Sequence, residues 1–160
     1  YTFSMRNSTL LFLVKKDGAR ITDICLAMKK RGFGMGRYNG VGGKVEEGES
    51  IEEAVKRDAQ EEIGVVVTEI TKTAELTFIF PHKEDWNQLV HIYTTDSWTG
   101  DIVETEEMNP SWFAVGDIPY QAMWADDIYW LPHVLEGKHV EGTVVFAEGD
   151  VIVSHEIKVI

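Results

Sequence analysis

Asp58, Glu61 and Glu62 stand at the i, i+3 and i+4 spacing that lets side chains meet on one side of a helix. The helix itself is well specified. Ser50 and Glu53 form an S-x-x-E capping box, so Ser50 is the expected N-cap. Ile51, Ala54, Val55, Ala59 and Ile63 recur at helical spacing, and Gly64 suits a left-handed stop. With Ile51 as zero and about 100° per residue, Val55 falls at about 40° and Ala59 at about 80°, on the apolar stripe. Asp58 at about 340° and Glu62 at about 20° share that stripe, Glu61 at about 280° lies at its edge, and Glu53 at about 200° faces solvent. Carboxylates on the core side are costly unless they are paired or metal-bound. Lys56 and Arg57 point elsewhere around the helix, which leaves a divalent ion as the natural partner. Oxygen-only ligands suit Mg²⁺ or Mn²⁺ far better than zinc. The alternative is a structural ion-pair network around the same acids.

The acids are concentrated here. Lys44–Glu62 holds eight of the chain's 27 in 19 residues, where a uniform spread would leave about three. Just upstream, Lys29–Gly43 (KKRGFGMGRYNGVGG) carries six of the chain's 14 glycines together with Lys29, Lys30, Arg31 and Arg37. Such a stretch is a loop whose backbone turns sharply or approaches something closely. Lys30 and Arg31 read as solvated, and Asn39 before Gly40 reads as a turn residue. A second acidic pair, Asp126-Asp127, follows Trp124; at the start of a helix its plain reading is an N-cap. The five histidines are scattered without ligand spacing and receive no role. Cys25 reads as a small buried hydrophobe.

The elements that must position these groups are strand-rich. Thr9–Val14 and Ile21–Met28 read as strands on either side of a turn, followed by the glycine loop and the helix from Ser50 to Ile63. Val65–Val67, Thr73–Phe80, Leu89–Thr95 and Trp112–Val115 read as further strands. Ile128–Glu136 reads as a second helix containing Pro132, and Thr143–Phe146 with Val151–Val159 as a closing hairpin across Gly149-Asp150. Strands with two covering helices make an α/β layer fold, a mixed sheet sandwiched between helices.

At 160 residues the chain reads as one domain over 1–160, with residues 1–4 standing ahead of a natural start at Met5. Lys+Arg total 15 against 27 Asp+Glu, a net charge of −12 that argues against a nucleic-acid polymer or an anionic membrane surface as partner. A small anionic substrate is compatible if a metal ion mediates. One cysteine permits no intrachain disulfide and no multi-cysteine zinc site, and it fits a cytoplasmic setting. No apolar run approaches the length of a membrane span.

Gly43-x5-Glu49-x7-Arg57-Asp58-Ala59-x-Glu61-Glu62-x-Gly64-Val65 resembles the box of the Nudix hydrolase family, G-x5-E-x7-R-E-U-x-E-E-x-G-U with U apolar. MKKRGFGMGRYNGVGGKV before the box, and Glu106-Glu107-Met108 and MWADDIYW after it, are similar to the animal MutT-type members that hydrolyse 8-oxo-dGTP. The resemblance runs from about Thr9 to about Leu135. One box position departs, with Asp58 where the family has Glu, a carboxylate shorter by one methylene.

This resemblance implies the Nudix fold, an αβα sandwich. It implies Mg²⁺, with Mn²⁺ as a substitute, held by Asp58, Glu61, Glu62, Glu107 and a backbone carbonyl at Gly42. It implies general-base catalysis by Glu62, Asp58 or Glu107, and a Glu49–Arg57 pair bracing the helix. Thr9, Lys29, Phe33, Asn39, Gly43, Lys44, Phe78, Met108, Trp124, Asp126 and Asp127 correspond to nucleotide-binding positions. Asn39 would contact the purine, and Trp124 and Phe33 would supply aromatic faces. Phe78 and Met108 would line the pocket or serve as core. Asp126 and Asp127 would read the purine edge, one protonated and one not. Tyr38 stands where the animal members carry Trp and would reshape the pocket edge. The implied activity is Mg²⁺-dependent hydrolysis of oxidised purine nucleoside triphosphates (8-oxo-dGTP, 2-oxo-dATP) to the monophosphate and pyrophosphate, by a monomer that sanitises the nucleotide pool. The alternatives are another modified nucleotide or nucleoside diphosphate derivative as substrate, or a non-catalytic nucleotide-binding module.

Overall fold

A computed structural model describes residues 5–160; the reading of residues 1–4 as additions ahead of Met5 lies outside the described residues. The strands are β1 (Arg6–Asp17), β2 (Arg20–Lys29), β3 (Tyr38–Asn39), β4 (Val66–Val67), β5 (Thr71–Ile79), β6 (Gln88–Thr95), β7 (Trp98–Thr99), β8 (Met108–Ala114), β9 (Val140–Ala147) and β10 (Val151–Val159). The helices are α1 (Ile51–Ile63) and α2 (Asp127–Leu135). The main sheet runs β10-β9-β5-β6-β1-β2-β3, with β8 also on β2, and β4–β7 form a separate pair. The β1–β6 and β5–β9 pairings are parallel and the rest of the ladders are antiparallel.

The apolar run in β1 has a direct consequence. A strand with both faces buried needs no polar alternation. Phe12 and Val14 pack with Ile24, Leu76 and Ile92 against Trp130, Leu131 and Val134 of α2. Leu11 and Leu13 point the other way and pack with Cys25 and Ala27 against Val55, Ala59 and Ile63 of α1. Two cores on opposite faces of one mixed sheet make the expected αβα sandwich.

β1 and β2 pair only near their hairpin, from Val14↔Ile24 to Asp17↔Arg20. Beyond that they splay, and the end of the glycine loop fills the gap. Ser8 bridges to Lys44 and Leu11 to Val41, with Thr9 N–H donating to Gly43 O at 2.9 Å. This approach explains Gly42, where a Cβ would stand 1.9 Å from the Thr9 carbonyl oxygen. The loop is thereby pinned between the sheet and α1.

Several element limits differ from the sequence expectation. β1, β8 and β9 begin earlier than expected, at Arg6, Met108 and Val140. The two-residue strands β3 and β7 have no periodicity to reveal them. Helix α2 begins at Asp127 and contains Pro132.

Candidate active site

At the N-terminus of α1, Ser50 Oγ accepts from Glu53 N–H at 3.1 Å, and Glu53 Oε1 accepts from Ser50 N–H at 3.2 Å. Gly64 closes the helix at φ +76°. These caps set the ends of the helix, and the buried stripe of Ala54, Val55, Ala59 and Ile63 sets its rotation. Asp58 and Glu62 are buried on its inner face at 6% and 7% exposure, while the side chain of Glu61 remains 62% exposed.

Burial governs their protonation. The Glu62 carboxyl is pushed up to about 8, first by loss of water and then by the neighbouring Asp58 charge, with Lys29 and the Gly42 backbone N–H acting in the opposite direction. Asp58 is pushed up to about 6 by burial, against the pull of Arg57. Glu62 Oε2 has no hydrogen-bond partner.

The expected Glu49–Arg57 pair is present, and the helical-wheel reading of Arg57 is corrected at Asp58 alone. Its guanidinium binds Glu49 with two bonds of 2.7 and 2.9 Å. It also reaches Asp58 Oδ1 at 2.9 Å, Glu61 Oε2 at 3.2 Å and Lys44 O at 3.1 Å. A Cβ direction does not limit a side chain long enough to fold back along its helix. Thr9 Oγ1 donates to Asp58 Oδ2 at 3.4 Å.

Glu107 comes from the turn before β8. Arg31 Nε donates to its Oε1 at 3.0 Å and holds its carboxyl below the ordinary range. Lys30 binds Glu104 Oε2 at 2.7 Å and Thr105 O at 2.9 Å. Lys30 and Arg31 are exposed, as the loop sequence led one to expect, and each is also ion-paired. Asp58, Glu61, Glu62 and Glu107 line one shallow acidic cleft with Arg31, Thr105 and Glu106.

These groups fit a hard divalent cation. Their donors are all oxygens, and one buried carboxylate oxygen lacks a partner. As they stand, no three acidic side chains among the described residues close to ligating distance. The guanidinium groups of Arg57 and Arg31 occupy carboxylate oxygens that a metal would otherwise draw together.

A second cleft of about 400 Å³ adjoins the first. Thr9, Lys29, Gly42, Gly43 and Lys44 form its near side, and a Cβ at Gly43 would lie 3.7 Å from Asp58 Oδ2. Phe33, Asn39, Phe78, Met108, Trp124, Asp126 and Asp127 also line it. Phe78 and Met108 belong at once to this wall and to the packed core. Asn39 Oδ1 accepts from Gly40 N–H at 2.9 Å, so its carbonyl shapes the turn and its amide NH₂ is left for the cleft.

Asp126 does not cap α2 through its side chain. Its Oδ2 accepts instead from Trp130 Nε1 at 2.7 Å. Asp127 Oδ2 is buried without a partner. Burial raises both carboxyls, and the charge of Asp126 raises Asp127 further, so Asp127 is the member that keeps its proton.

Trp124 forms the aromatic wall. Phe33 lies 5.0 Å from it between ring centroids, and Phe33 in turn meets Trp86 at 5.2 Å. Tyr38 is not among the lining residues; it packs edge-on against Phe113 at 5.2 Å, so the expected change at the pocket edge is not found there. Sequence reasoning missed Trp86, Gln88, Phe146 and Trp130 as lining residues. Trp130 alone had a local signal, since it stands one helical turn beyond Asp126.

A three-layer αβα fold with buried carboxylates on a capped loop–helix segment defines a class, and residues 5–134 match the family model described as the NUDIX domain: the chain belongs to this family. It is 43% identical over 134 residues to an oxidized purine nucleoside triphosphate hydrolase of Danio rerio, covering 84% of this chain and 85% of that protein. The protein of the same description from Mus musculus is 42% identical over 135 residues, covering 84% and 86%. Among solved structures, a MutT protein from Bacillus halodurans superposes with a TM-score of 0.82 over 96% of this chain and 98% of its own, at 24% identity. That likeness concerns the fold.

Proposed function

We propose that this chain, read as one Nudix domain over 1–160, hydrolyses oxidised purine nucleoside triphosphates such as 8-oxo-dGTP and 2-oxo-dATP to the monophosphate and pyrophosphate. The observation that carries the reading is the buried Asp126–Asp127 pair, with a free Oδ2, in the cleft that adjoins the α1 carboxylates. One carboxyl that donates beside one that accepts matches a purine edge that presents an acceptor next to a donor. A shift of the proton between them lets one pocket take both oxidised bases. The relatives from Danio rerio and Mus musculus carry names that support the same substrate class.

Asp58, Glu61, Glu62, Glu107 and the Gly42 carbonyl would hold Mg²⁺, for which Mn²⁺ could substitute. When bound, the ion offsets the charge of the triphosphate and stabilises charge developing at the transferred phosphoryl group. Glu62 acts as general base through Oε2, taking a proton from the attacking water. Asp58 accepts from Arg57 and Thr9, and Glu107 from Arg31, which leaves them as ligands and Glu62 as the base. Lys29 and Lys44 face the phosphates, Asn39 and the aspartates hold the base edge, and Trp124 with Phe33 covers its ring. We take the protein to work as a monomer on small nucleotides in the cytoplasm. No described helix is long and apolar enough to cross a membrane. Burial raises the Cys25 thiol to about 11, which keeps it unreactive.

The test is pyrophosphate release with Mg²⁺ from dGTP, 8-oxo-dGTP, dATP and 2-oxo-dATP. The oxidised nucleotides should exceed their parents in kcat/KM by at least about tenfold. Asp127→Asn should lower kcat/KM on the oxidised pair by at least about tenfold without lowering the thermal midpoint, because a neutral amide avoids the cost of a buried acid. Equal rates on normal and oxidised nucleotides would sink the substrate assignment.

A further inference from the structure

The turn between β9 and β10 contains the only described non-glycine residue with positive φ, Asp150 at +61°, next to Gly149 at +78°. Such a conformation is uncommon outside glycine, although Asp and Asn tolerate it best. Here it aims a carboxylate at the glycine loop. Asp150 Oδ2 accepts from Arg37 Nη2 at 2.9 Å, and the two side chains are 29% and 33% exposed. The guanidinium lies over the Trp124 ring, 4.3 Å from its centroid. Phe146, on the strand leading into the same turn, meets Trp124 edge-on at 6.0 Å. On the loop side, a Cβ at Gly34 would approach Trp124 Nε1 to 3.4 Å. The indole is therefore held by the glycine loop and the C-terminal hairpin together. Asp150 and Phe146 both lie beyond residue 134, where the family match ends.

We propose that Arg37 and Asp150 are positioning residues of the purine wall: Asp150 fixes the guanidinium over one face of Trp124, leaving the rest of the indole as the platform for the base. This rests on the reading of the cleft as a purine site. The C-terminal hairpin is then part of the binding site, and it acts on the base through the indole. A planar guanidinium suits this place because it can lie flat on an aromatic face while its edge donates to a carboxylate, whereas an ammonium is a compact charge with no flat face to stack. The pair binds ground state and transition state alike, since neither residue lines the acidic cleft, so its loss should appear in KM and leave kcat unchanged.

The experiment uses the full chain as wild type, Asp150→Asn, Asp150→Gly, Arg37→Met and the double variant Arg37→Met/Asp150→Asn. Asn and Gly both accept the left-handed turn, so the hairpin is preserved. Calorimetry measures the Kd for 8-oxo-dGMP, and kinetics with Mg²⁺ measure KM and kcat for 8-oxo-dGTP. Both Asp150 variants should weaken Kd and raise KM by about fivefold, with kcat within about twofold of wild type. The double variant should bind no more weakly than Arg37→Met alone, because the two residues act as a unit. Unchanged Kd and KM in the Asp150 variants overturn the proposal, as do additive losses in the double variant. A fall in thermal midpoint with Kd unchanged assigns the pair to hairpin stability and overturns it too. A wild-type protein that binds no purine nucleotide overturns the purine reading, and the proposal with it; a wild type that binds as well as its variants overturns the proposal alone.

Discussion

Glu62 holds its carboxyl where the charged form is disfavoured, and this has a consequence for stability. Its folded pKa of about 8 compares with an ordinary 4.5, and Asp58 stands at about 6 against 3.8. Between the ordinary and the raised values the folded protein binds more protons than the unfolded chain. The stability contribution of these two groups is therefore fully present below the ordinary carboxylate range and is lost as pH rises towards 8. The thermal midpoint of metal-free protein should fall from pH 5 to pH 8. Glu62→Gln should flatten that fall while lowering kcat with Mg²⁺ by about 10²- to 10⁴-fold. An unchanged pH slope in the variant would count against Glu62 as the titrating group. The inward direction of Asp58 and Glu62 was legible from three residues of spacing. The Arg57–Asp58 and Arg31–Glu107 bonds were not, because a flexible side chain finds its acceptor only once neighbouring elements are in place.

At the scale of elements, the site depends on the splaying of β1 from β2. The gap admits the end of the glycine loop, and this brings Thr9, Gly42 and Gly43 beside α1. Gly42→Ala should act here, because a Cβ 1.9 Å from the Thr9 carbonyl leaves no space without parting loop and strand. The expected loss is at least about 2 kcal/mol in denaturant unfolding, with activity falling as well. A fully stable, fully active variant would mean that the loop is not held as described. The sequence showed that this loop needed glycine, and it showed α1 through its capping box. It could not show which strand the loop would approach. The strand limits shifted for a related reason: β1 extends to Arg6 because β6 lies parallel beside it, with Arg6 paired to Gln88.

For the whole molecule, the acids behind the formal net charge of −12 are gathered partly into two buried places, one lined by α1 and one at the start of α2. Folding that confines like charges should be assisted by a cation that binds only the folded form. Mg²⁺ or Mn²⁺ should raise the thermal midpoint saturably, by the equivalent of about 2.7 kcal/mol at a hundredfold excess over Kd, and a chelator should reverse it. Glu62→Gln should weaken the response, and a midpoint indifferent to both ions would argue against the metal assignment.

By itself the sequence determined the family, the strand at the core of β1 and the carboxylate face of α1. Those properties are written within one strand or a few turns of helix, where periodicity and capping act over neighbouring residues. Only the tertiary structure decided which cations meet which acids and what surrounds Trp124. Arg37 and Asp150 are 113 residues apart, and Arg31 and Glu107 are 76 apart. Contacts across such separations have no local pattern, because they arise when distant segments are packed together: the β2–β3 loop against the β9–β10 turn in one case, the ends of the paired strands β2 and β8 in the other.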